Sequence, residues 1–167
     1  MATKLLTPTK YLKLDTATDT WPGANLLNIT ATKTITDKVL AVNVTAIANS
    51  GTSTSRGFYF APSGWGKNHR VMYSFDYRFV PATTGDTAVM NQCGYEGGTV
   101  FTLTMTPDWQ HAEGISTRDN YGANYYAFRF YRSATDLPLG TFYLRNFRLE
   151  TIPFIFTIGG KPVTVTV

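Results

Sequence analysis

Cysteine occurs once in this chain, at Cys93, so no disulfide can form within it and a disulfide-stapled scaffold is excluded. Histidine is almost as scarce. His69 and His111 are the only two, and neither lies in an HExxH or other paired metal-ligand spacing. There is no GxSxG elbow, phosphate-binding loop or dinucleotide fingerprint. No window of about 12 residues keeps an apolar helical period without glycine, proline or a β-branched run, so almost no helix is expected. Runs of five or six basic residues, the mark of a nucleic-acid arm, are also missing. The net charge of +4 is mild and spread along the chain, which aids solubility. No stretch could span a bilayer, and MATKLLTPTKYLKL has no apolar core of signal-peptide length. The triplets Asn28-Ile29-Thr30 and Asn43-Val44-Thr45 are therefore read as accidental matches to a glycosylation acceptor. Neither membrane insertion nor nucleic-acid binding is expected.

Phenylalanine and tyrosine are abundant, 21 residues together, and threonine is frequent, while leucine, glutamate and lysine are sparse. Such residues fit a pleated, half-buried surface and point to an all-β protein. The 167 residues suffice for one domain with a real core, with or without arms. Val71 to Val80 is the clearest strand, with Val71, Tyr73, Phe75, Tyr77 and Phe79 on one face and Met72, Ser74, Asp76 and Arg78 on the other. GTFYLRNFRLE, Gly140 to Glu150, anchors Phe142 and Leu144 in one phase and Phe147 and Leu149 in the other. That slip predicts a β-bulge at Arg145-Asn146, where one extra residue returns the apolar side chains to the buried side. Further strands are expected over Lys38 to Thr45, Gly57 to Ala61, Ala88 to Cys93, Thr99 to Met105, Trp109 to about Ile115, and Asn124 to Arg132. About eight or nine short, regularly spaced strands imply an antiparallel β-sandwich of jelly-roll type.

Three segments are expected. Residues 1–24, threonine-rich and broken by Pro8 and Pro22-Gly23, read as an N-terminal arm that packs on the domain or a neighbour, with Trp21 as its docking residue. Residues 25–150 are the jelly roll. Residues 151–167 change to a β-ribbon, with Phe154, Ile155, Phe156 and Ile158 before Gly159-Gly160 and Val163 and Val165 after it. An apolar ribbon left exposed invites pairing, so these residues and Trp21 are the assembly candidates.

The order of features then resembles a known family. Asn25-Leu26-Leu27, the strand YSFDYRF, the segment TLTMTPDWQ and the closing YLRNFRLE resemble the jelly-roll carbohydrate-binding modules with a galactose-binding-like fold, over roughly residues 25–150. Such modules occur beside glycoside hydrolases, and similar ones occur in bacteriophage virion proteins. The resemblance implies that Trp109 is a core residue, and that an acidic residue would usually stand where this chain has Arg145. It also raises a structural calcium ion, for which Glu150 is one carboxylate without identifiable partners, so no metal site and no cofactor is assigned.

Sugar binding needs flat aromatic faces and fixed polar groups on a rigid scaffold. The loop residues Trp65 and Tyr121, with His69, Arg118, Asp119 and Asn120 beside them, are candidates; capping the open ends of the sandwich is their bland alternative. Asp76, Arg78, Arg129, Tyr131 and Arg145 could form a second patch if their strands adjoin, or else a ligand-free Asp-Arg network. For catalysis, Asp76, Asp108, Glu113 and Glu150 are the acids on strands or strand ends, and no facing carboxylate pair is visible. The expectation is a non-catalytic structural protein on a bacteriophage virion surface, a capsid decoration or a tail or fibre component. It would associate with copies of itself and other virion proteins, and could attach to host-surface glycans. A soluble carbohydrate-binding module acting for a glycoside hydrolase is the alternative.

Overall fold

A computed structural model describes residues 13–48, 55–62, 70–83, 88–95, 100–117, 128–133, 137–151, 155–158 and 161–164. Every regular element among them is a strand: β1 (Lys13–Asp15), β2 (Ala24–Leu27), β3 (Ile29–Thr36), β4 (Val39–Ile47), β5 (Ser55–Phe60), β6 (Arg70–Pro81), β7 (Ala88–Tyr95), β8 (Val100–Met105), β9 (Gln110–Thr117), β10 (Phe128–Ser133), β11 (Gly140–Thr151), β12 (Ile155–Ile158) and β13 (Lys161–Thr164). The first sheet runs β3-β4-β11-β6-β9, with β1 also paired to β11, and the second runs β2-β5-β10-β7-β8. All the pairings are antiparallel. The two sheets form the expected sandwich, and the chain crosses between them repeatedly, as in a jelly roll.

The alternation in the sequence sets the core. Val71, Tyr73, Phe75, Tyr77 and Phe79 of β6 all turn inward. They meet Phe58 and Phe60 of β5 and Phe128 and Phe130 of β10 from the second sheet. Phe75 lies edge-on to Phe130 at 5.2 Å, and Phe58 stacks on Phe130 at 5.2 Å. Burying a phenylalanine contributes about 1.5–3 kcal/mol, so this aromatic layer is the main term holding the sheets together.

The bulge predicted in the closing strand is present. Arg145 faces Asp76 and Arg148 faces Ser74, so three steps along β11 match two along β6. Asn146 takes up the extra residue at φ 53°, a left-handed conformation that asparagine tolerates better than most side chains. Phe147 returns to the core fully buried.

The N-terminal segment takes the first of its two expected placements and packs on the domain. β1 lies along the second half of β11, where β4 has ended, with Leu14 opposite Leu149. Thr16 is fully buried there; its amide donates to the Phe147 carbonyl (3.0 Å), and its hydroxyl accepts from the Phe147 amide (2.9 Å). Trp21, expected as an assembly residue, is instead a core residue at 7% exposure. It stacks on Phe147 at 5.7 Å and donates from Nε1 to the Lys38 carbonyl. The physical reason is that the bulge and the end of β4 leave an open corner over Phe147 and Phe60, and a flat indole covers it.

β3 is a strand that the periodicity does not reveal. Most of its residues are exposed, and Ile29 supplies its buried anchor. It joins β4 through Asp37 and Lys38, both at positive φ, the geometry of a two-residue type I′ turn. β12 and β13 pair with each other, as the glycine-flanked pattern predicts, and among the described residues they join neither large sheet.

Candidate functional site

Opposite the core, the outer face of the first sheet collects side chains from its three adjoining strands β11, β6 and β9. Asp76, at the centre of β6, faces Arg145 on β11 and His111 on β9. Its carboxylate accepts from Arg145 Nε (3.1 Å) and from Asn146 Nδ2 (2.8 Å), and it lies 2.8 Å from His111 Nδ1. An ionised carboxylate only accepts, so that last contact places a proton on Nδ1. The bulge makes this cluster possible, because it presents Arg145 and Asn146 in succession on the outer side.

Burial by itself would raise the Asp76 pKa. The hydrogen bonds from His111, Asn146 and Arg145, with the Arg145 charge, overcome that and hold it below the usual aspartate value. His111 is half exposed, and Glu113 lies 3.8 Å from its Nε2.

Beside this network stands an aromatic pair. The Arg78 guanidinium carbon lies 4.9 Å from the centre of the Trp109 ring and 4.5 Å from that of Tyr143. Arg145 covers Trp109 as well, at 4.1 Å. These are cation–π contacts on a partly desolvated surface. Farther along β6, a groove of about 410 Å³ is lined by Met72, Ser74, Glu113, Ile115 and Arg148, with the Tyr73 and Gly114 positions at its base. Arg148 pairs with Glu150 at its side.

The family resemblance implied a core position for Trp109; the structure places it half-buried on the outer face. The reason is parity. Gln110 pairs with Tyr77 on the inward row, so its predecessor falls on the outward one. Trp109, Tyr143, His111 and Asn146 are therefore members of the site that sequence reasoning did not select, and the phase of β9 was the signal that could have found the first and third.

The patch expected from Asp76, Arg78, Arg129, Tyr131 and Arg145 is divided by the fold. Asp76, Arg78 and Arg145 come together. Arg129 and Tyr131 lie on β10, in the second sheet, so the core separates them from the rest. There Arg129 stands 5.6 Å over the Tyr131 ring, and Tyr131 meets Tyr59 edge-on at 6.2 Å while being 7% exposed. A ring so enclosed offers little face for stacking.

Trp65, His69, Arg118, Asp119, Asn120 and Tyr121 lie outside the described residues, as do Phe154 and Val165. Ile155, Phe156 and Ile158 fall on β12 and Val163 on β13. Cys93 is fully buried on β7, opposite Phe130 of β10, where loss of solvent pushes its thiol pKa far up and keeps it protonated. Among the described residues, no group of three or more His, Cys, Asp or Glu side chains could hold a metal ion.

No protein-family model matches this chain, and no curated protein sequence matches it significantly. Similar solved structures include one described as "CBM4 structure and function", at 12% identity and a TM-score of 0.45, covering 86% of this chain and 88% of that one. Another is the family 11 carbohydrate-binding module of the cellulosomal cellulase Lic26A-Cel5E of Clostridium thermocellum, at 14% identity and a TM-score of 0.43, covering 87% of this chain and 89% of that one.

Proposed function

We propose that this chain is a non-catalytic β-sandwich of a bacteriophage virion surface, a decoration or tail component, that attaches to host-surface glycans and acts without a cofactor. The observation carrying the sugar-binding part is the outer face of β11, β6 and β9, where Asp76, His111, Arg145 and Asn146 are fixed in one network beside Trp109 and Tyr143. Sugar hydroxyls both donate and accept, so a rigid cluster of one acceptor and several donors next to two aromatic rings suits them. Side chains already locked by one another lose little freedom when a ligand arrives.

The virion setting rests on the sequence resemblance and gains support from the β12–β13 ribbon. A two-stranded ribbon is marginally stable by itself, and a partner subunit, either another copy or a second virion protein, would complete it. A soluble module serving a glycoside hydrolase would need the same sugar-binding face but no oligomer.

Two measurements test these parts. On a glycan array the wild type should give a defined signal that Trp109→Ala weakens. The absence of any signal from the native protein would remove the sugar-binding role. Light scattering should show an oligomer for the intact chain and a monomer after deletion of residues 151–167. An intact chain that is already a folded monomer would sink the assembly role.

A further inference from the structure

We infer that the glycan recognised by this face is acidic, and that Arg78 binds its anionic group. This rests on the sugar-binding reading above and specifies the substrate class.

Among the described side chains, three arginines stand on the outer face of β6 and β11, and they are not equivalent. Arg145 is neutralised by Asp76 and Arg148 by Glu150. Arg78 has no carboxylate partner and no hydrogen bond among the described residues; its contacts are the two rings of Trp109 and Tyr143. Its Nε is shielded from solvent without an acceptor, as is that of Arg148. What sets Arg78 apart is that Arg148 has a carboxylate beside it and Arg78 has none, so its charge calls for an explanation.

The geometry supplies one. Two aromatic contacts hold the guanidinium in place, while its terminal nitrogens are not among the shielded, unsatisfied atoms. A planar, permanently charged fork held in place is a receptor for a carboxylate or a sulfate, which it can grip with two parallel hydrogen bonds. Neutral hydroxyls would use only part of that capacity. The Asp76–His111–Arg145 network begins two residues away on the same row of β6, so a sugar ring carrying an anionic substituent over Arg78 can place hydroxyls against it.

The test uses the intact protein and calorimetric titration with matched oligosaccharides: oligogalacturonate as carboxylate probe, a sulfated oligogalactose, and neutral oligogalactose. At low salt the wild type should prefer an anionic probe over the neutral one, and Arg78→Gln should remove roughly ten- to hundredfold of the affinity for it and lower neutral binding far less, so that the anionic preference collapses. Which anionic probe binds tighter tells carboxylate from sulfate recognition. Arg78→Lys keeps the charge but loses the planar fork. It should still fold and lose part of the preference, and it stands in if the glutamine variant fails to fold. Equal wild-type binding of anionic and neutral probes, or a preference that survives substitution, overturns the acidic assignment while leaving sugar binding intact. No binding of any probe or array glycan overturns both.

Discussion

Asp76 shows how one residue ties the site to stability. Its pKa is held down in the folded state, so the unfolded chain takes up a proton first as the pH falls. The contribution of Asp76 is fully present above the unfolded value of about 4 and is lost as the pH drops through the lower folded value. Thermal melts between about pH 7 and pH 2.5 should show a decline below about pH 4 that is shallower in Asp76→Asn. An identical decline in both proteins would mean that other carboxylates carry the acid sensitivity. Gly57 is a residue-scale constraint of another kind. Its φ is 146°, and a Cβ there would lie 2.0 Å from the Phe130 carbonyl oxygen. The carbonyl belongs to the paired backbone of β10 and cannot step aside. Gly57→Ala should therefore lower the melting temperature severely or prevent folding, as read by circular dichroism and soluble yield.

At the scale of elements, β11 organises the first sheet. β6 follows its whole length on one side, while β4 and then β1 share the other. The bulge is where these arrangements change over, and the same extra residue builds the site by supplying Asn146 to Asp76. Asn146→Gly keeps the left-handed backbone and loses one exposed hydrogen bond, whereas Asn146→Val also loses the backbone conformation. Denaturant titration should find the valine variant less stable than the glycine variant by about 1–2 kcal/mol. Equal stabilities would show that the bulge does not depend on that conformation. The phase slip in GTFYLRNFRLE made this feature legible, because local periodicity records which side of a strand is wet. β3 was not legible for the same reason: an edge strand with one buried anchor leaves little apolar pattern, and Asp37-Lys38 is not a common pair for a type I′ turn.

For the whole molecule, β1 is joined to the first sheet, while β12 and β13 join neither sheet among the described residues. Deleting residues 1–23 removes β1, the buried hydroxyl of Thr16 and the indole of Trp21. The last of these losses alone is of the order of 3–5 kcal/mol for a large buried aromatic. That truncation should bind a hydrophobic dye and melt far below the wild type. Deleting residues 151–167 should leave the melting of the sandwich nearly unchanged once compared at the same oligomeric state, since β12 and β13 join neither sheet among the described residues. A stable product from the first deletion would mean that the N-terminal segment is dispensable after all.

The sequence by itself determined the class of the fold, the inward row of β6, the bulge and the terminal ribbon. Each of these is written in the spacing of neighbouring residues. Only the tertiary structure decided which outward rows share a surface. It set Arg129 and Tyr131 on the opposite face from Asp76, turned Trp109 outward against two arginines, and drew Trp21 into the core. The period of a strand fixes which of its sides is apolar, but its neighbours are chosen by contacts between residues far apart in the chain, and local spacing carries no record of that choice.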